Sequence, residues 1–157
     1  MATRVDGLER LRRKLRRLPD AARAEIAKAM EQSAAEIVAL AKSLVPVDSG
    51  DLRDSIGWTW GDAPQGSITL GTVRQSGSGA GNMVITVYAG NSEAFYARWV
   101  EFGTSPHTNE GMFAGSHNPG TPARPYFYPA YRALRRRVRG RVTRAVNRSA
   151  KKVAAGG

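Results

Sequence analysis

The side chains able to do chemistry are few, and their spacing suits little of it. His107 and His117 share a stretch with Glu110. A metal centre needs three or four ligands held rigidly, and the surrounding glycines and prolines offer no rigid frame. Asp48, Asp51 and Asp54 stand three residues apart. A calcium loop would instead place acids at alternate positions and end on a bidentate Glu, so capping and solvent exposure are the expected roles. Gly77-Ser78-Gly79-Ala80-Gly81 has the glycines of a phosphate loop. It lacks the following helix and the Gly-Lys-Ser/Thr ending, and it reads as a hairpin tip. The chain has no cysteine, which removes disulfides, thiolate metal sites and a Cys nucleophile. No pair of acid–base groups points to separated pKa values in a pocket. The expectation is therefore a protein that is not an enzyme and carries no cofactor and no metal.

Charge is the stronger signal. The formal net charge is +11, and its distribution matters more than its size. Residues 45–123 carry a net of −4, while residues 124–157 carry eleven Lys/Arg and no acid. Arg135, Arg136, Arg137, Arg139, Arg141, Arg144 and Arg148 lie along one stretch of helical character. With no acid in that stretch to form i,i+4 pairs, these charges repel one another. A block of this kind calls for an anionic partner, either duplex DNA or an acidic protein surface. A second cluster is aromatic: Tyr96, Trp99 and Phe102, followed by Tyr126, Phe127 and Tyr128. Aromatics concentrate both in cores and in subunit interfaces, and these six are the candidate interface between subunits.

The elements that must position these groups follow from hydrophobic period. Val5, Leu8, Leu11, Leu15 and Leu18 recur every three or four residues among arginines, the pattern of a basic amphipathic helix over residues 1–19. Pro19 breaks it. A second helix is expected from Asp20 to Leu44, with a stripe of Ile26, Met30, Ser33, Ile37, Leu40 or Ala41, and Leu44 and a stop at Pro46. At 1.5 Å per residue it spans about 37 Å. Asp48 or Ser49 is placed to cap one short turn that points Leu52 and Ile56 inward. The period then changes to two. Ile56 to Trp60, Ile68 to Thr72 and Val84 to Tyr88 read as strands, joined most simply as an antiparallel meander.

A short helix is expected around Phe95 to Phe102, capped by Gly103. Residues 104–121 have no period and read as a long mobile loop that orders against a neighbouring protein. Pro129 is placed to open a final helix, whose apolar face is Tyr131, Leu134, Val138, Val142, Ala145 or Val146, and Val153. The fold class is α+β, with a long N-terminal helix packed on a small antiparallel β-sheet, a short helix and a basic C-terminal helix. The expected division is a basic helix over 1–19, a core domain over 20–134 and an Arg-rich extension over 135–157. No apolar run approaches the roughly 18 residues of a membrane helix, and the first residues lack a signal peptide's apolar stretch. Synthesis in a cytoplasm, with no membrane partner, is expected.

Three segments then occur in order: Val45-Pro-Val-Asp-Ser-Gly-Asp-Leu-Arg-Asp-Ser-Ile56, Tyr96-Ala-Arg-Trp-Val-Glu-Phe-Gly-Thr104 and Pro122-Ala-Arg-Pro-Tyr-Phe-Tyr-Pro-Ala130. With the opening Gly7-Leu8 to Leu18-Pro19, they resemble the minor tail or tail-completion proteins of long-tailed bacteriophages, over about residues 6–135. The resemblance implies a structural virion protein made in the host bacterium. It implies a ring, commonly a hexamer, in the neck between head connector and tail tube, with packaged double-stranded DNA passing through its channel. It brings no catalytic residues. Terminator and stopper proteins of the same neck, and a free basic nucleic-acid-binding protein, are the alternatives. The length of 104–121 and of the Arg helix depart from the family pattern.

Overall fold

The computed structural model describes residues 20–69 and 83–155. The expected helix over 1–19, the hairpin tip at 77–81 and the strand residues beyond Thr69 lie outside them. Helix α1 runs Asp20–Leu44, with Asp20 in its first turn and Lys42 in its last, each complementing the helix dipole. Its buried side is made mostly of small residues, Ala22, Ala29, Ser33, Ala34 and Ala41, with Ile26 and Ile37 as the large ones. Leu44 is half exposed instead of closing the stripe. A single turn, α2 (Asp51–Asp54), follows, and Gly50 stands at its cap with φ +97°. No side chain caps it, although Ser49 Oγ donates to the Asp51 carboxylate at 2.6 Å. Leu52 and Ile56 turn inward, both nearly fully buried.

Strands β1 (Gly57–Trp60), β2 (Ile68–Thr69) and β3 (Ile85–Ala89) form one antiparallel sheet. Its order is β1-β3-β2, so β3 sits in the middle, where a meander would have put β2. The register sets Trp58 opposite Val87 and Ile68 opposite Ala89. β3 is the best strand former of the three, rich in β-branched residues, and it takes the central place where both edges are paired. Short helix α3 (Ala97–Phe102) ends at Gly103, whose φ is +71°. A Cβ there would stand 2.6 Å from the Thr121 carbonyl oxygen, so both conformation and space require glycine.

Residues 104–121 are a two-stranded ribbon, not a structureless loop. Thr104 and Thr121 exchange backbone hydrogen bonds at its base, 2.9 and 3.1 Å long. β4 (His107–Thr108) then pairs with β5 (His117–Asn118), and a 3-10 turn at Gly111–Phe113 makes the tip. The paired residues are polar and mostly exposed, so no apolar alternation betrays them in the sequence.

The last helix, α4, is Phe127–Ala154, 28 residues long. It begins two residues before Pro129 and continues without a break through residues 134 and 135. α4 lies antiparallel against α1: Ala130 shares a cluster with Ile37 and Ala41, Arg141 meets Glu36, and Ser149 Oγ donates to Ala22 O at 3.3 Å. Ala130, Ala145 and Ser149 are fully buried, and these small residues let the two helices approach closely. The main core joins α1, α2, the sheet and the start of α4 through Ile37, Leu52, Ile56, Val87, Tyr126 and Phe127. Val153, expected on the apolar face, is exposed near the end of the helix.

Candidate assembly surface

The joint between α3 and α4 is built on one carboxylate. Glu101 is 2% exposed. Its Oε2 accepts the backbone N–H groups of Tyr126 at 2.8 Å and Phe127 at 2.9 Å, and its Oε1 accepts that of Tyr128 at 3.0 Å. The first N–H groups of a helix have no partner within it, and here a side chain about 25 residues upstream accepts from three of them. A negative charge at the positive end of the helix dipole adds to the effect. The Tyr126 hydroxyl donates to Ala97 O at 3.3 Å. Burial, and then the Glu101 charge, push that phenol far above its ordinary value. Both groups are engaged in holding structure.

This joint sorts the six candidate aromatics. Tyr126 and Phe127 are fully buried within the chain itself, so they pack its own core and offer nothing to a neighbour. Tyr96 and Tyr128 are half-buried against that core. Trp99 and Phe102 face outward, 50% and 56% exposed. They are joined by Phe95, also 56% exposed, which meets Trp99 edge-on at 5.4 Å. Ala97 and Glu101, one turn apart, take the buried face of α3. The outward face is left with large apolar groups that no other described residue covers.

The three sequence segments meet at one place. A cleft of about 400 Å³ is walled by Asp48 and Arg53 from the first, Tyr96 and Val100 from the second, and Pro122 and Arg124 from the third. Arg124 enters by its backbone, its N–H bonding Val100 O at 2.8 Å. A second cleft of about 450 Å³ lies across Tyr96, Val100 and Thr121 and is bounded by Trp99. At the far end of the ribbon, Met112 is 93% and Phe113 69% exposed.

The arginines divide into two sets. Arg141 donates to Glu36 Oε1 at 2.6 Å and to Ser33 Oγ at 3.1 Å, and Arg137 stands 3.4 Å from the same Glu36 oxygen. Arg148 and Lys152 share Glu25 at 3.0 and 2.9 Å. These pairs cross from α4 to α1, which corrects the expectation of a wholly unpaired block: the missing acids are supplied by another helix. The hydrogen bond from Arg141 holds the Glu36 carboxyl below its ordinary value, and Lys152, then Arg148, do the same for Glu25. Arg135, Arg136 and Arg139, with Arg132, occupy the opposite face of α4 and are exposed. They have no ion-pair partner among the described residues. Arg144 is exposed at the side of the helix.

His107 and His117 sit in adjacent ribbon strands, and the His107 ring contacts Ser105 O at 3.0 Å. Among the described residues no group of three or more His, Cys, Asp or Glu is placed to hold a metal ion, and no helix is long and apolar enough to cross a membrane.

Residues 9–103 match the model of a family described as "Bacteriophage HK97-gp10, putative tail-component". That span contains the first segment, the second as far as Gly103, α1, the sheet and α3. No curated protein and no solved structure matches the chain significantly.

Proposed function

The chain belongs to the HK97-gp10-like family of phage tail components, and from that premise we propose that it is a structural, non-catalytic subunit of a ring in the neck of a long-tailed phage. The ring joins the head connector to the tail and lets DNA pass. The observation that carries this reading is the exposed aromatic face of α3, uncovered among the described residues, beside a cleft built from all three sequence segments. Burying a large apolar side chain is worth about 1.5–3 kcal/mol. Phe95, Trp99 and Phe102 together therefore offer a substantial drive for association. Six copies are expected by the family resemblance. In such a ring the outer arginines of α4 meet DNA phosphate.

A map of intact particles tests the reading. It should contain a symmetric ring of this chain between head and tail, with the α3 face covered; a particle without that ring would overturn it. The outer arginines also favour a second reading, a free nucleic-acid-binding protein. Gel shift at physiological salt separates the two, because a ring subunit needs no tight binding to free DNA.

A further inference from the structure

The ribbon's shape is fixed at both ends. Gly103 and Gly120 lock its base: a Cβ at Gly120 would collide with the Thr104 carbonyl oxygen. The tip holds itself. Asn109 N donates to Ser116 O at 2.9 Å, Gly115 N to Asn109 O at 3.1 Å, and Ser116 Oγ to Phe113 O at 2.7 Å. This spends the tip's polar groups on one another and leaves two large apolar side chains, Met112 and Phe113, standing in water. A rigid projection loses little conformational freedom on docking.

We propose that this tip is an assembly plug: Met112 and Phe113 enter the three-segment cleft of a second copy of this chain. The proposal rests on the ring reading above and names its contact. Charge is complementary. Glu110 flanks the tip and has no ion-pair partner among the described residues. Arg53 and Arg124 line the cleft, likewise unpaired among the described residues, against the single acid Asp48. The tip does not occupy the chain's own cleft, whose lining includes neither Met112 nor Phe113. Thr121, at the ribbon base, borders the cleft, and Gly111 is seven residues beyond Thr104, about 20 Å of extended chain. With Met112 93% and Phe113 69% exposed, the tip's apolar side chains remain free to enter another copy's cleft. Because tip and cleft are different surfaces, the contact is head-to-tail, the kind that closes into a ring when the rotation permits.

The absence of cysteine makes cross-linking clean. Phage particles carrying Met112→Cys with Thr121→Cys should, on oxidation, give a ladder of multimers of this chain. Met112→Cys with Ala150→Cys, on the outer side of α4, should give none. Glu110→Arg should lower infectious titre at least 10-fold, and adding Arg124→Glu should restore it to within about 3-fold. Particles that hold a symmetric ring of this chain but yield only monomers, or cross-links to another protein, would overturn the plug and leave the ring reading standing. Particles with no such ring would overturn both.

Discussion

Arg141 and Glu36, 105 residues apart in sequence, meet at 2.6 Å across the α1–α4 contact. The guanidinium also donates to Ser33 Oγ, which itself donates to Ala29 O at 2.7 Å. One arginine thus ties two turns of α1 to the middle of α4, in the otherwise small-residue seam between them. Glu25, with Arg148 and Lys152, repeats the arrangement nearer the helix ends.

Both carboxyls are held below the ordinary glutamate value of 4.5, Glu36 chiefly by Arg141 and Glu25 chiefly by Lys152. A carboxylate depressed by folding contributes stability that is fully present above its unfolded pKa. That stability is lost as pH falls through the folded value. The thermal midpoint should therefore be flat from pH 7 to about 5 and drop below about 4.5. Glu25→Gln with Glu36→Gln should start lower at pH 7 and lose less on acidification. Melting followed by circular dichroism across that range measures it; parallel curves for the two proteins would show that the pairs contribute nothing.

Glu101 makes a sharper case. Glu101→Ala leaves two buried N–H groups, of Tyr126 and Phe127, and the part-buried one of Tyr128 without acceptors, each buried one costing about 1–3 kcal/mol. Since such penalties do not add fully, a loss of about 3–5 kcal/mol is expected. Glu101→Gln keeps one acceptor oxygen but turns an amide NH₂ toward the other donors, and should fall between. Urea unfolding of the three proteins gives the order. An alanine variant within about 1 kcal/mol of wild type would mean that water replaces the carboxylate.

The sequence and the structure agree most where one element decides its own limits. α1 has its stripe, its acidic first residue and a proline two residues past its end, and both ends are readable. The α+β class follows from the change of period after Ile56. The rest depends on partners far along the chain. Glu101 is one acid in an apolar run, and only its spacing of four from Ala97 hints that it faces inward. The acids that neutralise Arg137, Arg141 and Arg148 lie on α1, out of sight of any rule about neighbours on one helix. Tyr126 and Phe127 read as interface or core alike until the fold buries them. The ribbon's strands carry no apolar period, and strand order cannot be read from connection length alone.

The division of the arginines separates stability from binding. Arg132→Gln, Arg135→Gln, Arg136→Gln and Arg139→Gln together remove four exposed charges that pair with no acid among the described residues. Stability should change by no more than about 0.5 kcal/mol per site, and the sign should favour the variant because like charges are removed. Affinity for duplex DNA should fall, and the slope of log affinity against log salt should flatten by about 0.9 for every phosphate the variant no longer neutralises. Arg141→Gln should do the reverse, lowering the melting temperature while leaving the salt slope nearly unchanged. Fluorescence anisotropy over a salt series, beside thermal melts, tests both. Equal salt slopes for wild type and the fourfold variant would mean that the outer arginines do not touch phosphate.

The outward face of α3 should matter to the particle more than to the fold. Trp99 and Phe102 are each about half exposed, and their ring partners within the chain are Phe95 and Tyr128 at 5.4 and 5.6 Å. An aromatic pair is worth about 0.5–1.5 kcal/mol beyond its buried area, and the half-buried rings add about 1 kcal/mol, so Trp99→Gln and Phe102→Gln should each cost no more than about 2.5 kcal/mol. Glutamine is a good helix former, so α3 itself should persist. If this face is buried between subunits, the double variant should express as a folded monomer yet leave heads and tails unjoined. Electron microscopy of lysates would then show separate heads and separate tails. Phe127→Gln is the contrast: it buries a polar amide in the core and should lower stability by about 3 kcal/mol or more. A Trp99/Phe102 variant that unfolds like Phe127→Gln would assign the α3 face to the core. One that joins heads to tails normally would remove it from the assembly surface.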